Sequence, residues 1–127
     1  MFKKLMIPVA LWALTISAVV VADGLTCRTE QRTVVVDLNA DGQPRYRVWN
    51  QPHPQSQKPD LQIVGGTHDF EGTGPCAHAV WSFEKGNTRY TVSGLGCTET
   101  TPPPGATGQL SVFVDDQFKQ SWWCVSR

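Results

Sequence analysis

Four side chains in this sequence have the types that acid–base or metal chemistry uses, within one short stretch: His68, Asp69, Glu71 and His78. Imidazole and carboxylate together can move protons near neutral pH or ligate a cation. No helical period surrounds them, so nothing sets two ligands on one helix face as zinc motifs do. His78 reads as a rim residue facing Leu95 across a hairpin, and His53, between two prolines, as a solvated loop residue. A second fragment, Asp37-Leu-Asn39-Ala-Asp41-Gly42, matches the opening half of a calcium loop. The match ends there: Val48 stands where the bidentate glutamate belongs, and the flanks are β-branched. That fragment reads as a hairpin turn. The expectation is no metal and no cofactor.

Nucleophiles are equally sparse. None of Ser56, Ser82, Ser93, Ser111, Ser121 and Ser126 has the glycine-flanked elbow that esterases use. The pair Asp115-Asp116 reads as a turn, where solvent keeps both carboxylates ionised. All four cysteines are consumed if they pair as disulfides, so no catalytic residue is assigned.

What remains is aromatic. Residues 23–127 hold Trp49, Trp81, Trp122 and Trp123. Neighbouring residues of a strand point to opposite faces, so Trp122 and Trp123 cannot share one core. Trp122 and Trp81 are assigned to the core. Trp123 either lies under a proline loop or is exposed as a contact residue. With Lys85, Arg89 and the stiff run Pro102-Pro103-Pro104, it forms the set of residues proposed for binding a partner.

The elements that would position these residues are short strands. Gly86-Asn87 is a two-residue hairpin signal. Counting outward from it, Phe83 faces Tyr90, Trp81 faces Val92, and Cys76 faces Cys97. A turn chosen without reference to cysteine therefore sets two thiols opposite one another, and Cys27 is left to pair with Cys124. Asn39-Ala40-Asp41-Gly42 reads as a type I turn closed by a left-handed glycine. It pairs Leu38 with Pro44, Val36 with Tyr46 and Val34 with Val48, and sets Asp37 against Arg45 on the other face. A three-residue loop at Asp115-Asp116-Gln117 would pair Val114 with Phe118 and Leu110 with Trp122. Leu61 to Val64 is a short strand. Gln51 to Asp60, Thr67 to Pro75 and Thr98 to Thr107 read as loops. The expected fold is all-β: a small antiparallel barrel or sandwich of seven or eight short strands with two disulfides.

The N-terminus sets the compartment. Lys3 and Lys4 precede an apolar run that ends Val20-Val21-Ala22, so residues 1–22 read as a cleaved signal peptide and 23–127 as one domain. The run is marginal for a membrane span and no basic cluster follows it, so no span is expected after processing. Losing both lysines leaves nine Lys and Arg against eleven Asp and Glu, which gives no reason to expect nucleic acid as a partner. Disulfides and export together imply a periplasmic or secreted protein.

A small exported β-rich chain resembles the bacterial C-type lysozyme inhibitors when its first cysteine lies near the mature N-terminus and its last closes an aromatic strand, here Ser121-Trp122-Trp123-Cys124. The resemblance implies a small β-barrel that blocks lysozyme by loop insertion. It transfers no site residues: Ser93-Gly94 is the nearest fragment to that family's inhibitory motif, and it is too short to carry a role. The second cysteine pair and the missing lipidation cysteine depart from the family. The expected function is therefore binding of another macromolecule, with a protein partner and an inhibitor or immunity-type role. A sugar- or lipid-binding barrel, or an envelope assembly module, is the alternative.

Overall fold

A computed structural model describes residues 24–126; the expected signal segment lies outside the described residues. Two antiparallel sheets are present. The first has the order β1 (Leu25–Arg28), β2 (Arg32–Leu38), β3 (Pro44–Asn50), β4 (Leu61–Val64). The second has the order β5 (Thr67–Glu71), β6 (His78–Lys85), β7 (Thr88–Gly94), β8 (Ala106–Val114), β9 (Gln117–Val125). The sheets face each other and do not close, so of the two expected architectures the sandwich is correct and the barrel is not. Nine strands are described where seven or eight were expected. One addition is β5, which lies in a stretch expected to be loop. Its inward residues, His68 and Phe70, alternate with polar Thr67, Asp69 and Glu71, and glycines bracket it closely. The imidazole of His68 stacks on Trp81 with ring centroids 3.7 Å apart, which gives this polar edge strand its anchor.

Turn chemistry set two registers as expected. Gly42 has φ 79°, and the Asn39 side-chain oxygen accepts backbone N–H bonds from Asp41 and Gln43 at 3.0 and 2.8 Å. The pairs Val34–Val48, Val36–Tyr46, Asp37–Arg45 and Leu38–Pro44 follow from that turn. In the central hairpin Gly86 has φ 62°, Phe83 faces Tyr90 and Trp81 faces Val92. Beyond the ladder's end Cys76 and Cys97 are bonded, as are Cys27 and Cys124.

The last hairpin differs from expectation at its loop. Asp115 and Asp116, with φ 51° and 61°, form a two-residue loop, so Val114 faces Gln117 and Phe113 faces Phe118. A bulge at Lys119 then adds one residue to β9 and restores the expected facing of Leu110 and Trp122. Primed two-residue turns match strand twist better than longer loops, and aspartate tolerates the left-handed region. The loop is held from the neighbouring turn: Asn87 donates to Asp115 at 3.1 Å, and Arg89 bonds Asp116 at 3.1 Å.

Residues of both sheets form the core. Val34, Val36, Tyr46, Val48 and Ile63 meet Trp81, Phe83, Val92 and Leu110. The Tyr46 ring lies 5.3 Å from Phe83 and 5.1 Å from Tyr90, and burial pushes its hydroxyl pKa well upward. Among the described residues these rings fill the space between the open sheets, which do not close around a lumen. Cys27–Cys124 ties β1 of one sheet to β9 of the other.

Candidate functional site

The outer faces of the two sheets differ in what covers them. On the four-stranded sheet Trp49 points outward yet is only 2% exposed. The proline loop between β3 and β4 folds over it, and Trp49 Nε1–H donates to the Gln57 carbonyl at 2.8 Å. Asp60 anchors that loop: its carboxylate accepts the Asn50 backbone N–H at 2.7 Å and lies 3.0 Å from His53 Nδ1. The Asn50 bond, then the His53 bond, hold the Asp60 pKa below its ordinary value. Beside Trp49, Asp37 accepts two bonds from Arg45 and one from Arg47, each 2.9 Å. Burial pushes the Asp37 carboxyl pKa upward, but the two arginines outweigh it and hold the value low. The Arg47 guanidinium lies 5.3 Å from the Trp49 ring centroid, and its buried Nε has no partner. Around Trp49 this face is covered by the chain's own loop. A proline loop does cover an outward tryptophan, but the tryptophan is Trp49.

The outer face of the five-stranded sheet carries no such cover. Because β5 to β9 pair in sequence, the register sets side chains in straight rows across all five strands. One row reads Thr67, Ser82, Thr91, Ser111, Ser121, a hydroxyl on every strand. The next reads Asp69, Val80, Ser93, Gln109, Trp123. Among the described residues, serine and threonine side chains hydrogen-bond at Thr29, Thr98, Thr107 and Ser126. No hydroxyl of the row does. A shallow depression of about 390 Å³ opens here, with Asp69, Glu71, His78, Thr91, Ser93 and Phe113 among its walls.

Three of the four candidate acid–base residues thus meet on this surface, with Glu71 directly across from His78. His68 points to the other side, against Trp81. His78 Nδ1 lies 2.9 Å from the Cys76 carbonyl, which can only accept, so the Nδ1–H is the donor of that bond. Nothing orders this group as a catalytic set. No serine hydroxyl on the face bonds His78 or a carboxylate, and no three metal-ligating side chains converge among the described residues.

The proposed contact residues are split between two ends of the sheet. Trp123 lies half-buried on the outer face of edge strand β9, opposite Gln109. The proline run ends beside Ser126, just past β9: the Ala106 N–H bonds the Pro103 carbonyl at 3.1 Å, Gly105 has φ 79°, and the Ser126 N–H bonds the Gly105 carbonyl at 2.9 Å. Pro103 and Pro104 are exposed and Pro102 half-buried. Arg89 lies four residues along β7 from Ser93 of the Trp123 row, about 13 Å at strand rise. Its guanidinium is engaged, 4.4 Å over Phe113 and bonded to Asp116. Lys85 is exposed at the hairpin end and, by alternation with Glu84, belongs to the opposite face. Sequence reasoning missed the hydroxyl row. Its trace was the alternation of Thr91 with Ser93 and of Ser121 with Trp123, which reads as solvent-facing filler until the strands are aligned.

No family model, curated protein or solved structure matches this chain.

Proposed function

We propose that this chain is an exported, non-catalytic binding domain that holds another macromolecule against the outer face of its five-stranded sheet. The asymmetry between the sheets carries the reading. One outer face spends its aromatic and charged side chains on its own loop and ion pairs. The other presents a row of hydroxyls, with no internal partners, beside Trp123. Two disulfides and a filled core make that face rigid, so docking orders few side chains. Export fits the two disulfides. An inhibitor or immunity-type role, the function implied by the likeness to lysozyme inhibitors, would be one consequence of such binding.

The test is capture from an extracytoplasmic extract that retains both proteins and glycans. The immobilised domain is compared with a Thr91→Arg/Ser111→Arg variant, which crowds the hydroxyl row, and with Gln62→Arg on the exposed part of the four-stranded sheet. Capture should be lost in the first and retained in the second. Equal capture by all three, or none by the unaltered domain, would contradict the siting.

A further inference from the structure

We infer that the ligand of this face is an uncharged polysaccharide lying across the strands along Thr67, Ser82, Thr91, Ser111 and Ser121, with one sugar ring stacked on Trp123. The inference rests on the outer face being the binding surface and names the chemistry that surface selects. Each hydroxyl both donates and accepts, so a row of them is satisfied best by a ligand whose own groups do both. A pyranose offers hydroxyls around its rim and C–H groups on its faces; the rim matches the row and the faces match an indole. Four interstrand steps of about 4.8 Å make the row about 19 Å long, enough for several sugar rings.

Charge excludes the competing ligands. The row is uncharged and acids flank it, Asp69 and Glu71 beyond one side and Glu84 beyond the other. Arg89, directly across from Glu84 in that flanking row, is paired with Asp116 and leaves the acids in excess. An anionic chain, whether nucleic acid or polyuronate, meets repulsion here. A protein partner fits less well for a different reason. Protein interface centres are rich in aromatic residues, methionine and arginine and poor in serine, the reverse of this row.

Calorimetry and NMR titration with neutral hexasaccharides test it, using β-1,4-glucose, β-1,3-glucose, α-1,4-glucose and β-1,4-N-acetylglucosamine chains. Sedimentation with the matching insoluble polysaccharides accompanies them. At least one should bind saturably, with affinity changing less than about twofold between 50 and 500 mM salt, because no ion pair forms. Trp123→Ala should weaken it about tenfold. Thr91→Ala/Ser111→Ala should weaken it to a similar degree through two lost hydrogen bonds. Gln62→Ala should change nothing. The Thr91/Ser111 pair keeps the test decisive should Trp123→Ala fold poorly. No saturable binding to any neutral chain overturns the inference, as does binding indifferent to both variants. If the face instead captures a protein, and Thr91→Arg/Ser111→Arg abolishes that capture, the polysaccharide is refuted while the binding surface stands.

Discussion

Trp49 and Trp123 are both outward-facing tryptophans, and replacing each by alanine should separate a structural role from a binding role. Trp49 is 2% exposed, packed beneath the proline loop and against Arg47, with its Nε1–H bonded to Gln57. Truncating a fully buried tryptophan costs about 3–5 kcal/mol in lost contacts and cavity. Trp123 is half-exposed on an edge strand, so its removal forfeits about half the contact area and should cost about 1–1.5 kcal/mol. Against a net stability of about 5–15 kcal/mol, Trp49→Ala should shift the urea midpoint conspicuously and Trp123→Ala only slightly. Trp49→Phe separates the terms further: it keeps most of the packing and loses the indole bond, worth about 1 kcal/mol. Urea unfolding followed by far-ultraviolet circular dichroism avoids dependence on tryptophan emission. A loss under 1.5 kcal/mol for Trp49→Ala, or an equal loss at Trp123, would refute the assignment of the cover to Trp49.

Other outcomes follow from the same geometry. Removing Cys27–Cys124 by paired alanines should cost about 5 kcal/mol and removing Cys76–Cys97 about 3, because the sequence separations are 97 and 21 and loop entropy grows with length; thermal unfolding of the two variants gives the order. Asp37 and Asp60 titrate below the ordinary 3.8 in the folded chain, so each contributes stability above about pH 4 that is lost as pH falls through its lower folded value. Asp37→Asn should flatten that acid limb in denaturation midpoints measured from pH 5 to 2, and an unchanged slope would count against the arginine pairing. Replacing Asp115-Asp116 by Asn-Gly should raise stability by about 0.5–1 kcal/mol, since two left-handed positions then hold residues suited to them. A drop in melting temperature would mean that the Arg89 bond matters more than the turn.

The registers of the first two hairpins were legible because glycine and asparagine at a turn restrict loop length, and loop length sets every pairing beyond it. Pairing of all four cysteines followed. The final turn was not legible, because Asp-Asp is an unusual occupant of a primed turn and the compensating bulge at Lys119 leaves no mark in composition. β5 escaped notice since its outward residues are polar, His68 finds its packing only once Trp81 is beside it, and Phe70 stays largely exposed. The hydroxyl row was the least readable feature. Its members come from five strands, and the β7–β8 alignment crosses the proline-rich connection before Ala106, whose length does not fix a register. For Trp123 the sequence left cover by a proline loop or exposure open; the tryptophan that is covered is Trp49, through a fold-back from Gln51 to Asp60 that strand patterns do not encode.

The most direct measurement of the binding surface is an amide NMR titration of the isotopically labelled chain with each neutral hexasaccharide in turn. The expected result is one saturating set of shifts confined to Ser82, Thr91, Ser93, Ser111, Ser121 and Trp123. Shifts gathering instead around Arg45, Arg47 and the proline loop, or none that saturate, would contradict it.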